Sequence, residues 1–144
     1  MKLTELPATT EDISTIFAMA KDLIDTYEDL ESIQYDKVIS WVQSKIEDHI
    51  SEYSCVFFKN VKIGYYRLVH GMQSLELDDL YILPEHRNKG YGSQILRTCY
   101  QSSELPIFLY VFCRNTDAIR FYVKHGFEIK QQVSPTRYIM IRND

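Results

Sequence analysis

The spacing of apolar residues along the chain changes several times, and each change marks an element. Ile13, Ile16, Phe17, Ala20, Leu23, Ile24 and Tyr27 keep helical spacing. They follow Thr9-Thr10-Glu11-Asp12, whose hydroxyls and acids suit a helix start, so a helix is predicted over 11–28. After a polar break at 29–34 a second helix is predicted over 35–50, with Val38, Ile39, Trp41, Val42 and Ile46 facing inward. Residues 2–6 read as a short strand stopped by Pro7. Residues 53–58 and 63–69 read as a hairpin turning at Lys59-Asn60-Val61-Lys62, and Gly71 marks the next turn.

Leu75, Leu77, Leu80 and Ile82 carry the following strand, but their parity switches from odd to even between Leu77 and Leu80. A regular strand would swap faces there, and a bulge at Asp78-Asp79 repairs the pattern. A helix over 91–103 follows. Residues 106–113 form a continuous apolar strand, as expected of one covered on both faces. Asn115-Thr116-Asp117 caps a helix over 116–125, with Ala118, Phe121 and Tyr122 at helical spacing, and Gly126 stops it. Two strands, 127–133 and 136–141, close the chain around Ser134-Pro135. The order β-α-α-β-β-β-α-β-α-β-β predicts an α/β (α+β) fold: one domain over 1–144, with a mixed, mostly antiparallel sheet and helices on both faces.

Composition narrows the partners. A net charge of −4 with no run of like charge disfavours nucleic-acid or anionic-membrane binding. No apolar run is long enough to span a membrane, and the N-terminus lacks the core of a signal peptide. Cys55, Cys99 and Cys113 form neither a disulfide framework nor a zinc pattern, and the four histidines lack metal-ligand spacing. A cytoplasmic protein with reduced thiols and no metal is expected.

The chemistry concentrates in Leu80-Tyr81-Ile82-Leu83-Pro84-Glu85-His86-Arg87-Asn88-Lys89-Gly90-Tyr91-Gly92. Two of the chain's five glycines fall in this strand-to-helix turn, which also carries Arg87 and Lys89. Consecutive N–H groups from Asn88 to Ser93, together with the helix dipole, suit a diphosphate, and glycine lets the backbone approach it. G-x-x-x-x-G-K-[ST] is absent, and Ile95 fills the third glycine position of G-x-G-x-x-G. Taken alone, the turn could equally be a glycine-relaxed connection with solvated basic residues.

A second segment, Asn115 to Phe127, lies about 25 residues on, past the apolar strand. Together the two resemble the GCN5-related N-acetyltransferase (GNAT) family. Its [RQ]-x-x-G-x-[GA] motif is met by Arg87, Gly90 and Gly92. Its N-x-x-A-x-x-F-Y-x-x-x-G-F motif is met by Asn115, Ala118, Phe121, Tyr122, Gly126 and Phe127. Asn88 stands where many members have glycine, and Asn tolerates positive φ.

The resemblance implies acetyl-coenzyme A as cosubstrate. Arg87, Asn88, Lys89, Gly90, Tyr91, Gly92 and Ser93 match the pyrophosphate loop. Leu80, Tyr81 and Ile82 match the strand whose backbone pairs with the pantetheine arm and polarises the thioester carbonyl. Asn115 matches a side chain near the pantetheine, and Tyr122 the residue near the sulfur, a general acid for the departing thiolate.

An alkyl amine, with a pKa of about 10.4 by analogy with lysine, arrives protonated at neutral pH and must lose that proton. Glu76, Asp78 and Asp79 precede the cofactor strand, and Asp78, which shares parity with Leu80 and Ile82, is the favoured base. Asp25, Glu28, Asp29, Glu31, Asp36, Glu47 and Asp48 make the first two helices acidic. In this fold those helices would wall the acceptor cleft, and a negative rim would attract a cationic amine; a merely solvated acidic face is the competing account. The expectation is transfer from acetyl-coenzyme A to a small cationic primary amine, such as a polyamine or aminoglycoside, by a monomer or homodimer. Acetylation of protein lysines or N-termini, a non-catalytic coenzyme A-binding module and an unrelated phosphate-binding domain are the alternatives.

Overall fold

The computed structural model describes residues 2–143. The elements run β1 (Leu3–Pro7), α1 (Ile13–Tyr27), α2 (Tyr35–Asp48), β2 (Ser54–Phe58), β3 (Val61–His70), β4 (Leu75–Ile82), α3 (Tyr91–Gln101), β5 (Ile107–Phe112), α4 (Thr116–Lys124), β6 (Glu128–Ser134) and β7 (Arg137–Arg142). This is the order the sequence predicts. The β2–β3 turn is tighter than expected: Lys59 (φ 50°) and Asn60 (φ 66°) alone make it, in the left-handed geometry that matches strand twist.

The strands form one seven-stranded sheet, β1-β2-β3-β4-β5-β7-β6. Every neighbouring pair is antiparallel except β4–β5. On one face Tyr91, Ile95, Leu96 and Cys99 of α3 pack with Leu75, Leu77, Ile107, Leu109 and Met140. On the other, Ile16, Ala20 and Ile24 of α1 and Val42 and Ile46 of α2 pack with Tyr53, Cys55, Tyr65, Tyr81 and Phe112.

The parity switch in β4 is a bulge. Arg67 pairs with Asp79 and Leu68 with Leu77, which leaves Asp78 without a ladder partner. Leu75 and Leu77 therefore face α3 before the bulge, and Leu80 and Ile82 face it after, while Tyr81 turns to the opposite core.

Two expectations fail. Trp41 does not face inward: it is 65% exposed. The buried stripe of α2 runs through Val42 and Ile46, and Trp41 lies a full 100° step away from Val42, at the stripe's margin. Nor is β5 covered throughout. Tyr110 is half exposed because β4 and β5 pair only at Leu75 with Ile107 and Glu76 with Phe108, then diverge.

Candidate active site

The divergence of β4 from β5 opens a cavity of about 940 Å³ that passes through the sheet. Leu77 to Ile82 of β4 form one wall and Leu109 to Phe112 of β5 the other. At one end lie the turn into α3 and the residues Asn115, Phe121 and Tyr122 of α4. At the other lie Met19, Asp22 and Leu23 of α1, with Trp41, Val42 and Lys45 of α2.

The turn into α3 is built by backbone geometry. Gly90 caps the helix at φ 85° and Asn88 sits at φ 62°, both left-handed. The first helical hydrogen bond is from the Gln94 amide to the Gly90 carbonyl (3.2 Å), so the Tyr91, Gly92 and Ser93 amides precede the ladder. A Cβ on Gly92 would stand 3.4 Å from the Phe121 ring, an ordinary contact, so Gly92 sits where α3 packs on α4. Arg87 donates through Nε to the Ile82 carbonyl (3.0 Å), tying the turn to the end of β4. Lys89 is exposed. Tyr91 is buried against Phe58, so only its backbone faces the turn.

Past the two paired positions, β4 is laddered on one side by β3, and its other edge fronts the cavity. The Leu80 and Ile82 side chains pack toward α3, while Tyr81 points away to Asp79. The Asn115 side chain caps α4, its Oδ1 accepting from the Ala118 amide (3.2 Å). The Tyr122 ring packs edge-on against Phe121 and Phe127. Its hydroxyl has no hydrogen-bond partner among the described residues. Burial, with Asp79 and Cys99 nearby, pushes its pKa up, so the phenol holds its proton.

The carboxylates of β4 are less free than the sequence suggests. Lys45 donates to Asp78 Oδ2 (3.0 Å) and to Asp79 Oδ2 (3.3 Å). Arg67, itself buried, donates through Nη1 to the same Asp78 oxygen (2.9 Å) and through Nη2 to Glu52 (3.1 Å). Asp78 Oδ1 is left without a partner among the described residues. Asp79 also accepts from the Tyr53 and Tyr81 hydroxyls. Burial raises the Asp79 pKa against the pull of Lys45. Glu76 makes no hydrogen bond or ion pair among the described residues, and burial followed by repulsion from Asp78 raises its pKa.

The charges at the α1–α2 end of the cavity differ from those the sequence suggests. None of Asp25, Glu28, Asp29, Glu31, Asp36, Glu47 and Asp48 lines the cavity; Asp22 does. Asp25 pairs with Lys21 and Tyr35, and Glu28 lies 4.0 Å from Arg137. Sequence reasoning missed Lys45, Arg67 and Asp22. A lysine between Val42 and Ile46 on the apolar side of α2 was the one available signal. Among the described residues no cluster of His, Cys, Asp and Glu could hold a metal, and no helix is long and apolar enough to cross a membrane.

The fold is that of N-acetyltransferases of known structure. PaiA N-acetyltransferase of Thermoplasma acidophilum, solved with coenzyme A, superposes over 100% of both chains at 21% identity (TM-score 0.72). A spermidine N-acetyltransferase chimera of Vibrio cholerae SpeG and hSSAT covers 99% of this chain and 96% of its own at 20% identity (TM-score 0.70). A ribosomal-protein alanine N-acetyltransferase of Escherichia coli covers 98% and 93% at 14% (TM-score 0.68). No curated protein sequence matches the chain. The chain belongs to the GNAT acetyltransferase family, whose sequence profile matches residues 16–127. It is thus an acetyl-coenzyme A-dependent N-acetyltransferase.

Proposed function

We propose that the protein acetylates a primary amine on a small cationic acceptor of the polyamine or aminoglycoside kind, with Tyr122 as general acid and Asp78 as general base. The observation that carries this reading is the single cavity with the α3 turn and Tyr122 at one end and the β4 carboxylates with Asp22 at the other. Acetyl-coenzyme A supplies an acetyl thioester open to attack by an unprotonated amine. The turn's free amides, the left-handed Gly90 and the basic Arg87 and Lys89 suit its pyrophosphate, with Asn88 and the Tyr91, Gly92 and Ser93 amides completing the cradle. The open edge of β4 at Leu80, Tyr81 and Ile82 offers backbone groups to an amide-bearing arm and an N–H to a developing oxyanion. Asn115, at the α4 end of the same cavity, is the side chain we assign to that arm.

Tyr122 keeps its proton and has no competing acceptor, as a donor to a departing thiolate requires. Asp78 offers Oδ1 to the ammonium of the acceptor, directly or through water, while its Oδ2 is anchored by two cations. Lys45 is already matched by two carboxylates, so Asp22 and Glu76 leave the acceptor end attractive to cations. Trp41 adds an exposed indole face beside them, suited to an ammonium.

A screen of diamines, polyamines, aminoglycosides, lysine peptides and N-terminal peptides, read by thiol release, tests the reading. Turnover is expected on the small cations. Tyr122→Phe and Asp78→Asn are expected to lower kcat roughly 10²-fold each, with coenzyme A binding kept. If Glu76→Gln is the variant that abolishes turnover and Asp78→Asn is active, the base is Glu76. Tight coenzyme A binding without turnover on any amine would overturn the catalytic assignment in favour of a coenzyme-binding module.

A further inference from the structure

His125, the residue that caps the C-terminus of α4, touches the first turn of α3: its Nε2 lies 3.0 Å from Ser93 Oγ. Its ring is held by neighbours. Phe121 packs 5.1 Å away at 60°, and Tyr100 of α3 lies 6.3 Å away at 52°. The His125 carbonyl accepts from Arg142 Nε of β7 (2.9 Å), and its amide donates to the Tyr122 carbonyl (3.0 Å). Burial, followed by Arg97 of α3, Lys124 of α4 and Arg142 of β7, lowers the imidazole pKa below its usual value, so the ring is neutral at physiological pH. A neutral imidazole donates from one nitrogen only. If Nε2 carried no proton, it would draw the Ser93 hydroxyl proton to itself and turn the oxygen lone pairs toward the turn, against an incoming phosphate. With the proton on Nε2, the ring donates to Oγ and frees the hydroxyl proton.

We propose that His125 is a positioning residue for the phosphate end of the coenzyme, donating from Nε2 to Ser93 so that the Ser93 hydroxyl donates to the bound anion. This rests on reading the α3 turn as the pyrophosphate site. The residue acts through Ser93, and its effect falls on coenzyme affinity rather than on the acetyl-transfer step.

The experiment is titration calorimetry of coenzyme A with wild type, Ser93→Ala, His125→Ala, His125→Phe, His125→Gln and the Ser93→Ala/His125→Ala pair, alongside steady-state kinetics. Loss of one hydroxyl bond to a charged phosphate weakens binding roughly tenfold or more. Ser93→Ala is expected to show that loss. His125→Phe, which keeps the packing, is expected to weaken binding several-fold, as His125→Ala does. His125→Gln, which keeps an N–H donor, is expected to restore affinity to within about twofold of wild type. The double variant is expected to bind no worse than Ser93→Ala alone. In kinetics, KM for acetyl-coenzyme A rises and kcat at saturation does not.

Additive losses in the double variant, or a His125→Phe variant with wild-type affinity beside a weakened Ser93→Ala, overturn the proposal and leave the turn assignment standing. Wild-type affinity in both Ser93→Ala and Gly90→Tyr overturns the turn assignment itself.

Discussion

Asp12 and Asp79 are carboxylates largely withdrawn from solvent, each met by one lysine ammonium, with one tyrosine hydroxyl on Asp12 and two on Asp79. Asp12 accepts from Lys62 (2.5 Å), Tyr65 (3.0 Å), the Cys55 thiol and the Thr9 amide. Asp79 accepts from Lys45, Tyr53 and Tyr81. The electrostatic outcomes are opposite. Burial works against the Asp12 anion, but its four donors overcome it and bring the pKa down to about 2. Burial wins at Asp79 and the pKa rises. Desolvation weighs more heavily on Asp79, and the neighbours differ as well. Lys62 is paired with Asp12 alone, whereas Lys45 is divided between Asp79 and Asp78, a second carboxylate one residue away. At Asp79 the loss of hydration is the larger cost, and the like charge of Asp78 adds to it. The settled cluster pins the start of α1 to β2 and β3, away from the cavity; the unsettled one lines it.

The largest effect expected is from Lys45→Met. Removing the shared cation leaves Asp78 with Arg67 and Asp79 with only the Tyr53 and Tyr81 hydroxyls, and should cost about 3–5 kcal/mol in urea unfolding. A loss under about 1 kcal/mol would mean that the cluster does not depend on Lys45. Asp12→Asn comes next. A shift from 3.8 to about 2 corresponds to about 2 kcal/mol at neutral pH. Because the folded pKa is depressed, that stability is present above pH 3.8 and is lost as pH falls through about 2, so the variant's stability should vary less with pH over that window. Lys62→Met should cost only about 1 kcal/mol, since Lys62 is one-third exposed and Asp12 keeps its other donors.

Asp79→Asn should cost about 1 kcal/mol or less at pH 7, with the opposite pH trend. A raised folded pKa means that the wild type gains stability as pH falls through it, so the gap to the variant widens toward acid. Parallel slopes for Asp12→Asn and Asp79→Asn in acid unfolding curves would erase the distinction.

The sequence exposes local rules and hides long-range ones. Pro84, Gly90 and Gly92 announce the strand-to-helix turn because each has a backbone reason to be there. The β4 bulge is legible because the sheet has a period of two, and Leu77 and Leu80 break it. Helical spacing says that α2 has an apolar face but not what lies beside that face, so Trp41 reads as core when it stands at the cavity mouth. The same limit hides Asp22 among the other acids of α1. Lys45 meets Asp78 across 33 residues and Arg67 meets it across 11, and no local pattern links such distant ions. For that reason Asp78 reads as a free carboxylate in sequence and stands with one oxygen held by two cations in the fold.

The two rungs between β4 and β5 have a mechanical consequence. Strands β1–β4 and β5–β7 are each paired along most of their length, with local bulges, so the sheet is two leaves whose ladder is joined only at Leu75–Ile107 and Glu76–Phe108. If the coenzyme's amide-bearing arm lies along the bare margin of β4, as proposed above, it acts as the missing strand and stitches the leaves together. Substrate capture and sheet cohesion then become one event. Ligand should slow hydrogen exchange in both leaves at once, including in strands it never touches.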